Sequence, residues 1–149
     1  MGKICLSRAI AGGLLAGLVI NVIEFLVNSL WLAKEWEAVM TAMGKPPGNS
    51  PAQIVVFSLW GFVMGIVLVW LYAAIRPRFG AGPRTALTAS LAVWILGYLL
   101  SMVPPLVLEI FPVRLGLISM AVGLVEIVVA GNLGARVYRE NSGSAATAA

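Results

Sequence analysis

The chain has 149 residues, 60% of them hydrophobic and 11% charged, too apolar and too poor in charge for a soluble domain of this size, and it reads as an integral membrane protein. The formal net charge of +4 sits at segment ends rather than along one face with aromatics between, so it reads as a topology signal and no nucleic-acid partner is expected. One cysteine and no histidine exclude an internal disulfide, a CxxC pair and a thiolate metal site, and remove the commonest metal ligand and general base; no cofactor and no metal is expected.

Met1-Gly-Lys-Ile-Cys-Leu-Ser-Arg8 has a signal peptide's charged start, but the apolar run after it is too long and no lipobox precedes Cys5, so a signal-anchor helix is expected. A myristoylation pattern needs Ser or Thr where Leu6 stands. The first span covers about residues 8–33. Wound at about 100° per residue, it gathers Gly13, Gly17, Asn21, Glu24, Asn28 and Trp31 into an arc of about 80° and leaves Leu, Ile, Val and Phe on its other faces. In a bilayer such a stripe faces other helices while the oily sides face lipid.

Trp31 and Trp36 stand where an aromatic belt belongs. Residues 34–43 carry Trp36, Val39, Met40 and Met43 opposite their charges, which predicts a short helix lying in the interface. Gly44-Lys-Pro-Pro-Gly-Asn-Ser50 is a loop.

The second span, about residues 51–75, opens with Pro51 in its first turn and closes at the basic loop Arg76-Pro-Arg-Phe-Gly-Ala-Gly-Pro-Arg84. Ser58, Gly61, Gly65 and Tyr72 share a face, and Gly61-Phe-Val-Met-Gly65 is a GxxxG that lets two backbones approach. The third span, about residues 85–103, has a ridge of Ala89, Val93, Gly97 and Ser101 and is expected to stop at Pro104-Pro105, with a tight turn over 106–112. On the fourth, about residues 113–138, Ser119, Gly123, Glu126, Ala130 and Gly134 form a second small-and-acidic stripe. Trp60 and Trp94 are expected as buried packing. Residues 1–140 thus form one all-α four-helix transmembrane domain, and 141–149 have the composition of a flexible tail.

Lys3, Arg8, Arg76, Arg78, Arg84, Arg136 and Arg139 fall on one side of this topology, against Lys34, Lys45 and Arg114 on the other. Positive-inside asymmetry therefore places both termini in the cytoplasm.

Two ionisable residues lie deep in the apolar segments, Glu24 and Glu126. A charged acid at a helix centre costs roughly 3 kcal/mol on insertion scales, so an unpaired one is expected protonated, with Asn21 and Asn28, one turn either side of Glu24, as partners. Read functionally, Glu24, Glu126, Asn21 and Asn28 form a proton or cation site; read structurally, they are interhelical hydrogen bonds of about 1 kcal/mol or less each. Gly13, Gly17, Gly61, Gly65, Gly97 and Gly123 are the expected packing positions, with the first and fourth spans meeting through their glycine-lined stripes.

The stretches Asn21-Val-Ile-Glu-Phe-Leu-Val-Asn28, Lys34-Glu-Trp-Glu37, Leu59-Trp-Gly61, Trp70-Leu-Tyr-Ala-Ala-Ile-Arg-Pro-Arg-Phe-Gly80 and Gly123-Leu-Val-Glu126 give a chain that resembles a group of small bacterial four-helix membrane proteins known only as hypothetical. The resemblance implies a bacterial inner-membrane setting and no specific activity. Small multidrug resistance transporters also have four short helices and an embedded Glu in the first, but their motifs are absent here. With no nucleophile elbow, P-loop or HExxH, no enzyme is expected. The first reading is an oligomerising membrane protein or small subunit of a larger assembly, with lipid, itself or other membrane proteins as partners; the alternative is a proton- or cation-coupled transporter centred on Glu24 and Glu126.

Overall fold

The computed structural model describes residues 4–46 and 48–138, and among them every regular element is helical. Four long helices, each apolar enough to cross a membrane, are α1 (Leu6–Trp31), α3 (Pro51–Phe79), α4 (Pro83–Val107) and α5 (Val113–Val137). The short α2 (Ala33–Ala42) follows α1. Only 22–33% of the most apolar window of each long helix is buried, so most of the oily surface faces outward, the reverse of a soluble domain. The tail 141–149 lies outside the described residues.

Helix boundaries follow local chemistry. At the start of α3 the Ser50 hydroxyl accepts from Gln53 N–H and Gln53 Oε1 accepts from Ser50 N–H, a capping box with Pro51 in the first turn. α3 runs past the expected stop at residue 75: Pro77 stands in the last turn, and the chain leaves the helix at Gly80, whose φ of 83° suits glycine.

The end of α4 also differs from expectation. In α1 the stretch Phe25–Trp31 is π-helical, and in α4 so is Ile95–Leu99. The π stretch re-phases α4 ahead of Pro104-Pro105, and the Ser101 hydroxyl donates to the carbonyls of Gly97 (2.6 Å) and Tyr98 (3.2 Å). The helix continues through both prolines to Val107 instead of stopping at 103.

The expected contact between the glycine stripes of α1 and α5 is corrected. Gly13 and Gly17 face α3: a Cβ on Gly13 would lie 2.5 Å from the Ile66 Cα, one on Gly17 2.6 Å from the Phe62 Cα, and one on Gly65 would strike backbone atoms of Gly13 and Gly17. The GxxxG of α3 is thus spent within the chain. α1 reaches α5 one position round, where a Cβ on Gly12 would fall 2.6 Å from the Gly134 carbonyl oxygen. The physical reason is that a 3.6-residue helix offers adjacent rows to two neighbours, so a single arc of small residues need not face one partner.

The packing is lopsided. Buried residues line all four helices on the side of Glu24 and Glu126 nearer the chain termini: Ala9, Ala16 and Ile20 of α1, Leu68, Val69 and Ala73 of α3, Ala86, Ala89 and Val93 of α4, and Ile127 and Ala130 of α5. Beyond the two acids, Phe25–Trp31 and Ile95–Val107 bury nothing, and residues 51–60 of α3 are almost all exposed, Trp60 at 67% rather than packed inside. That half is closed by α2, whose Val39 packs with Leu32 and Leu115 while the Trp36 ring meets Phe111 edge-on at 5.5 Å. The apolar face of α2 is therefore folded onto the bundle itself.

Candidate functional site

Glu126 is fully buried on α5, and Glu24 is half-buried at the last α-helical position of α1, where the π stretch begins. Their side chains lie within hydrogen-bonding reach of one another across the α1–α5 interface. On one flank the Tyr98 hydroxyl, from the π stretch of α4, donates to Glu126 Oε1. On the other, Asn28 Nδ2 donates to Glu24 Oε2 and to the Glu24 carbonyl oxygen at 3.1 Å. Asn28 Oδ1 in turn accepts from the Trp36 indole N–H of α2 at 2.8 Å. A continuous polar chain, Trp36–Asn28–Glu24–Glu126–Tyr98, thus crosses four helices and passes through both π stretches; π-bulges are frequent at functional sites because they re-aim side chains within a helix.

The donor count leaves a vacancy. Glu126 Oε2 is buried with no hydrogen-bond partner among the described residues, as is Ser119 Oγ two turns away on the same helix face. Ionised carboxylates only accept, so two facing carboxylates cannot satisfy one another. A proton held between them would supply a bond that two ionised carboxylates lack.

Of the residues expected at the site, Glu24, Glu126 and Asn28 are brought together and Asn21 is not. Asn21 Nδ2 donates to the Gly17 carbonyl (2.8 Å) and across to the Ser58 carbonyl of α3 (3.1 Å), over Gly61, where a Cβ would fall 2.6 Å from that amide nitrogen. It belongs to the α1–α3 seam. Gly123 serves the site directly, because a Cβ there would strike the Tyr98 ring, and Gly97 faces only the tip of Met64.

Sequence reasoning missed Tyr98 and Trp36 as members of the site. The readable signal is the four-residue spacing of Ser90, Trp94 and Tyr98. Ser90 Oγ donates to the Ile127 carbonyl (3.1 Å), Trp94 Nε1 to the Met120 carbonyl (2.9 Å) and Tyr98 to Glu126, so this stripe zips α4 to α5. Asn132 lies apart from the pair, its Nδ2 on the Val128 carbonyl at 2.9 Å.

Among the described residues no group of three or more Cys, Asp or Glu side chains is placed to hold a metal ion. Two carboxyls and a phenol are too few oxygens to enclose a dehydrated metal cation. No family model, curated protein or solved structure matches the chain. Geometry and chemistry alone carry the functional reading.

Proposed function

We propose that the chain is a multi-pass membrane protein, in a bacterial inner membrane with both termini cytoplasmic, that binds and releases a proton at the Glu24–Glu126 pair and couples this to movement of a monovalent or small organic cation. The observation that carries the reading is the buried Glu126 carboxyl beside Glu24, whose Oε2 has no hydrogen-bond partner among the described residues. Singly protonated, the pair bears one negative charge; a second proton or a cation neutralises it, and the two compete for the same oxygens. Competition of this kind is what exchange requires. The loose packing beyond the acids supports an access side at the loop end of the bundle, the glycine seams lying toward the end bearing the termini.

The test is purified protein in vesicles with an internal pH dye and an imposed proton gradient. Glu126→Gln and Glu24→Gln are expected to abolish cation-dependent proton flux while remaining folded. If both variants keep full flux, or the wild type shows none with any of a panel of monovalent and lipophilic cations, the reading fails.

A second reading, a small subunit of a larger assembly, rests on residues 51–60 of α3. Ile54, Val55, Val56, Phe57, Leu59 and Trp60 are 54–67% exposed. The glycine seams no longer support it, since Gly13, Gly17, Gly61, Gly65 and Gly123 are consumed inside the bundle. Co-purification of a stoichiometric partner that is lost on Trp60→Ala would favour it over the carrier.

A further inference from the structure

A cleft of about 230 Å³ opens at the termini end of the bundle, between the end of α3, the start of α4 and the last turns of α5. Tyr72, Gly82, Pro83, Ala86, Asn132 and Arg136 line it. Its polar groups are donors. Tyr72 is only 4% exposed; its hydroxyl accepts the Gly82 N–H at 3.3 Å, and no group among the described residues accepts its own proton. Asn132 Nδ2 uses one hydrogen on the Val128 carbonyl and has a second to give. Arg136 is one turn beyond Asn132 on the same face of α5 and forms no ion pair among the described residues.

Among the described residues the charge around the cleft has one sign. Arg78 closes α3 and Arg84 opens α4, while the described acids, Glu24, Glu35, Glu37, Glu109 and Glu126, lie at mid-bundle or at the far end. A buried phenol with an unspent proton, an amide with a spare hydrogen and a guanidinium that has no ion pair among the described residues, all on one small cleft, call for a negatively charged ligand rich in acceptors. Among common anions a phosphate ester offers oxygens in several directions at once, and a guanidinium meets two of them in parallel.

We propose that this cleft binds a phosphate ester, independently of the carboxyl pair. Its place at the ends of four apolar helices makes the headgroup of an anionic phospholipid one source of that group, and a water-soluble phosphoester the other. Tyr72 and Asn132 fix the oxyanion at the depth of the helix ends, and Arg136 closes over it from the open side.

Full-length protein in uncharged detergent tests this, by thermal melting with added phosphatidylglycerol, phosphatidylcholine or glycerol phosphate and by titration of bound lipid in native mass spectrometry. Phosphatidylglycerol is expected to raise Tm where phosphatidylcholine does not, and Arg136→Gln to weaken its apparent affinity at least tenfold. Tyr72→Phe, which keeps the ring packed and removes the donor, is expected to weaken it severalfold, and Arg78→Gln, outside the cleft, to leave it within twofold. A shift with glycerol phosphate that also requires Arg136 assigns the site to a soluble ester; a shift with the lipid alone assigns it to the bilayer. Equal shifts with both lipids, binding retained in Arg136→Gln, or no shift with either ester overturns the proposal.

Discussion

Tyr98 donates to Glu126 from a helix that has left α-helical register to do so: the phenol sits within the π stretch Ile95–Leu99, against a face of α5 where Gly123 is small enough to admit its ring. Tyr98→Phe keeps the ring and deletes the donor, so neither oxygen of Glu126 then receives a hydrogen bond from a neutral side chain. An interhelical bond in a membrane bundle is worth about 0.6–2 kcal/mol, and unfolding in a detergent titration is expected to record a loss in that range. A displaced carboxyl C=O stretch in the difference infrared spectrum of the variant, absent from Glu126→Gln, would assign the bond.

Glycine positions separate into costly and tolerant ones by what surrounds them. Gly65→Ala drives a methyl into the backbone of Gly13 and Gly17, which cannot move without parting α1 from α3. Overpacking of this kind costs about 1–3 kcal/mol. Gly97→Ala meets only the terminal methyl of Met64, 2.9 Å from the new Cβ, a flexible tip that swings aside, and is expected to stay within about 0.5 kcal/mol of wild type. Melting curves of the two variants compare them directly.

The contact between α2 and the bundle rests on Trp36 rather than on the ion pair beside it. Arg114 and Glu35 meet at 2.7 Å, but the arginine side chain is 74% exposed, so Glu35→Gln is expected to change stability by less than about 0.5 kcal/mol, and less still in high salt. Trp36→Phe leaves an edge-on ring against Phe111 and removes the indole N–H held by Asn28. It is expected to loosen α2, seen as faster hydrogen exchange over residues 33–42, and to slow proton uptake at the pair if the polar chain is the route inward.

Little of this was hidden for want of composition. A carboxyl or an amide in an apolar helix stands out in the sequence, which is why Glu24, Glu126 and Asn28 are legible, and four long oily segments can form little except a helical bundle. The rest depends on three dimensions. Small residues announce a close backbone approach without saying to whom, so Gly13 and Gly17 look like partners of Gly123 when their neighbours are Phe62 and Ile66. Tyr98 and Trp36 pass for packing and belt residues because an aromatic carries its polar atom at the tip of an apolar body. No residue type marks a π stretch, and the prolines at 104 and 105 look like a terminus until the register ahead of them is known.

Cys5 gives a pH-dependent handle outside the spans. The Ser7 hydroxyl, and after it the Arg8 backbone N–H, hold its thiol below the ordinary thiol range, so the thiolate persists to lower pH than in a free cysteine. Ser7→Ala removes the larger influence and returns the thiol toward its ordinary value. At a pH just below that value, alkylation by iodoacetamide, followed by mass, is expected to slow in the variant; an unchanged rate would show that the Ser7 contact does not persist in solution.

The uneven packing on the two sides of the acids sets which way such a machine rests. To expose the pair toward the termini, α1 must part from α3 at Gly13, Gly17 and Gly65, and from α5 at Gly12 and Gly134, where backbones approach closely. To expose it toward the loops, α2 need only lift a side-chain contact built on Trp36, Val39, Leu32, Leu115 and Phe111. A transport cycle on this scaffold would dwell facing the loops, with the opening of the glycine seams as its slow step. A bulky side chain at Gly12 would then be expected to bias the protein toward the rarer state as well as to destabilise it.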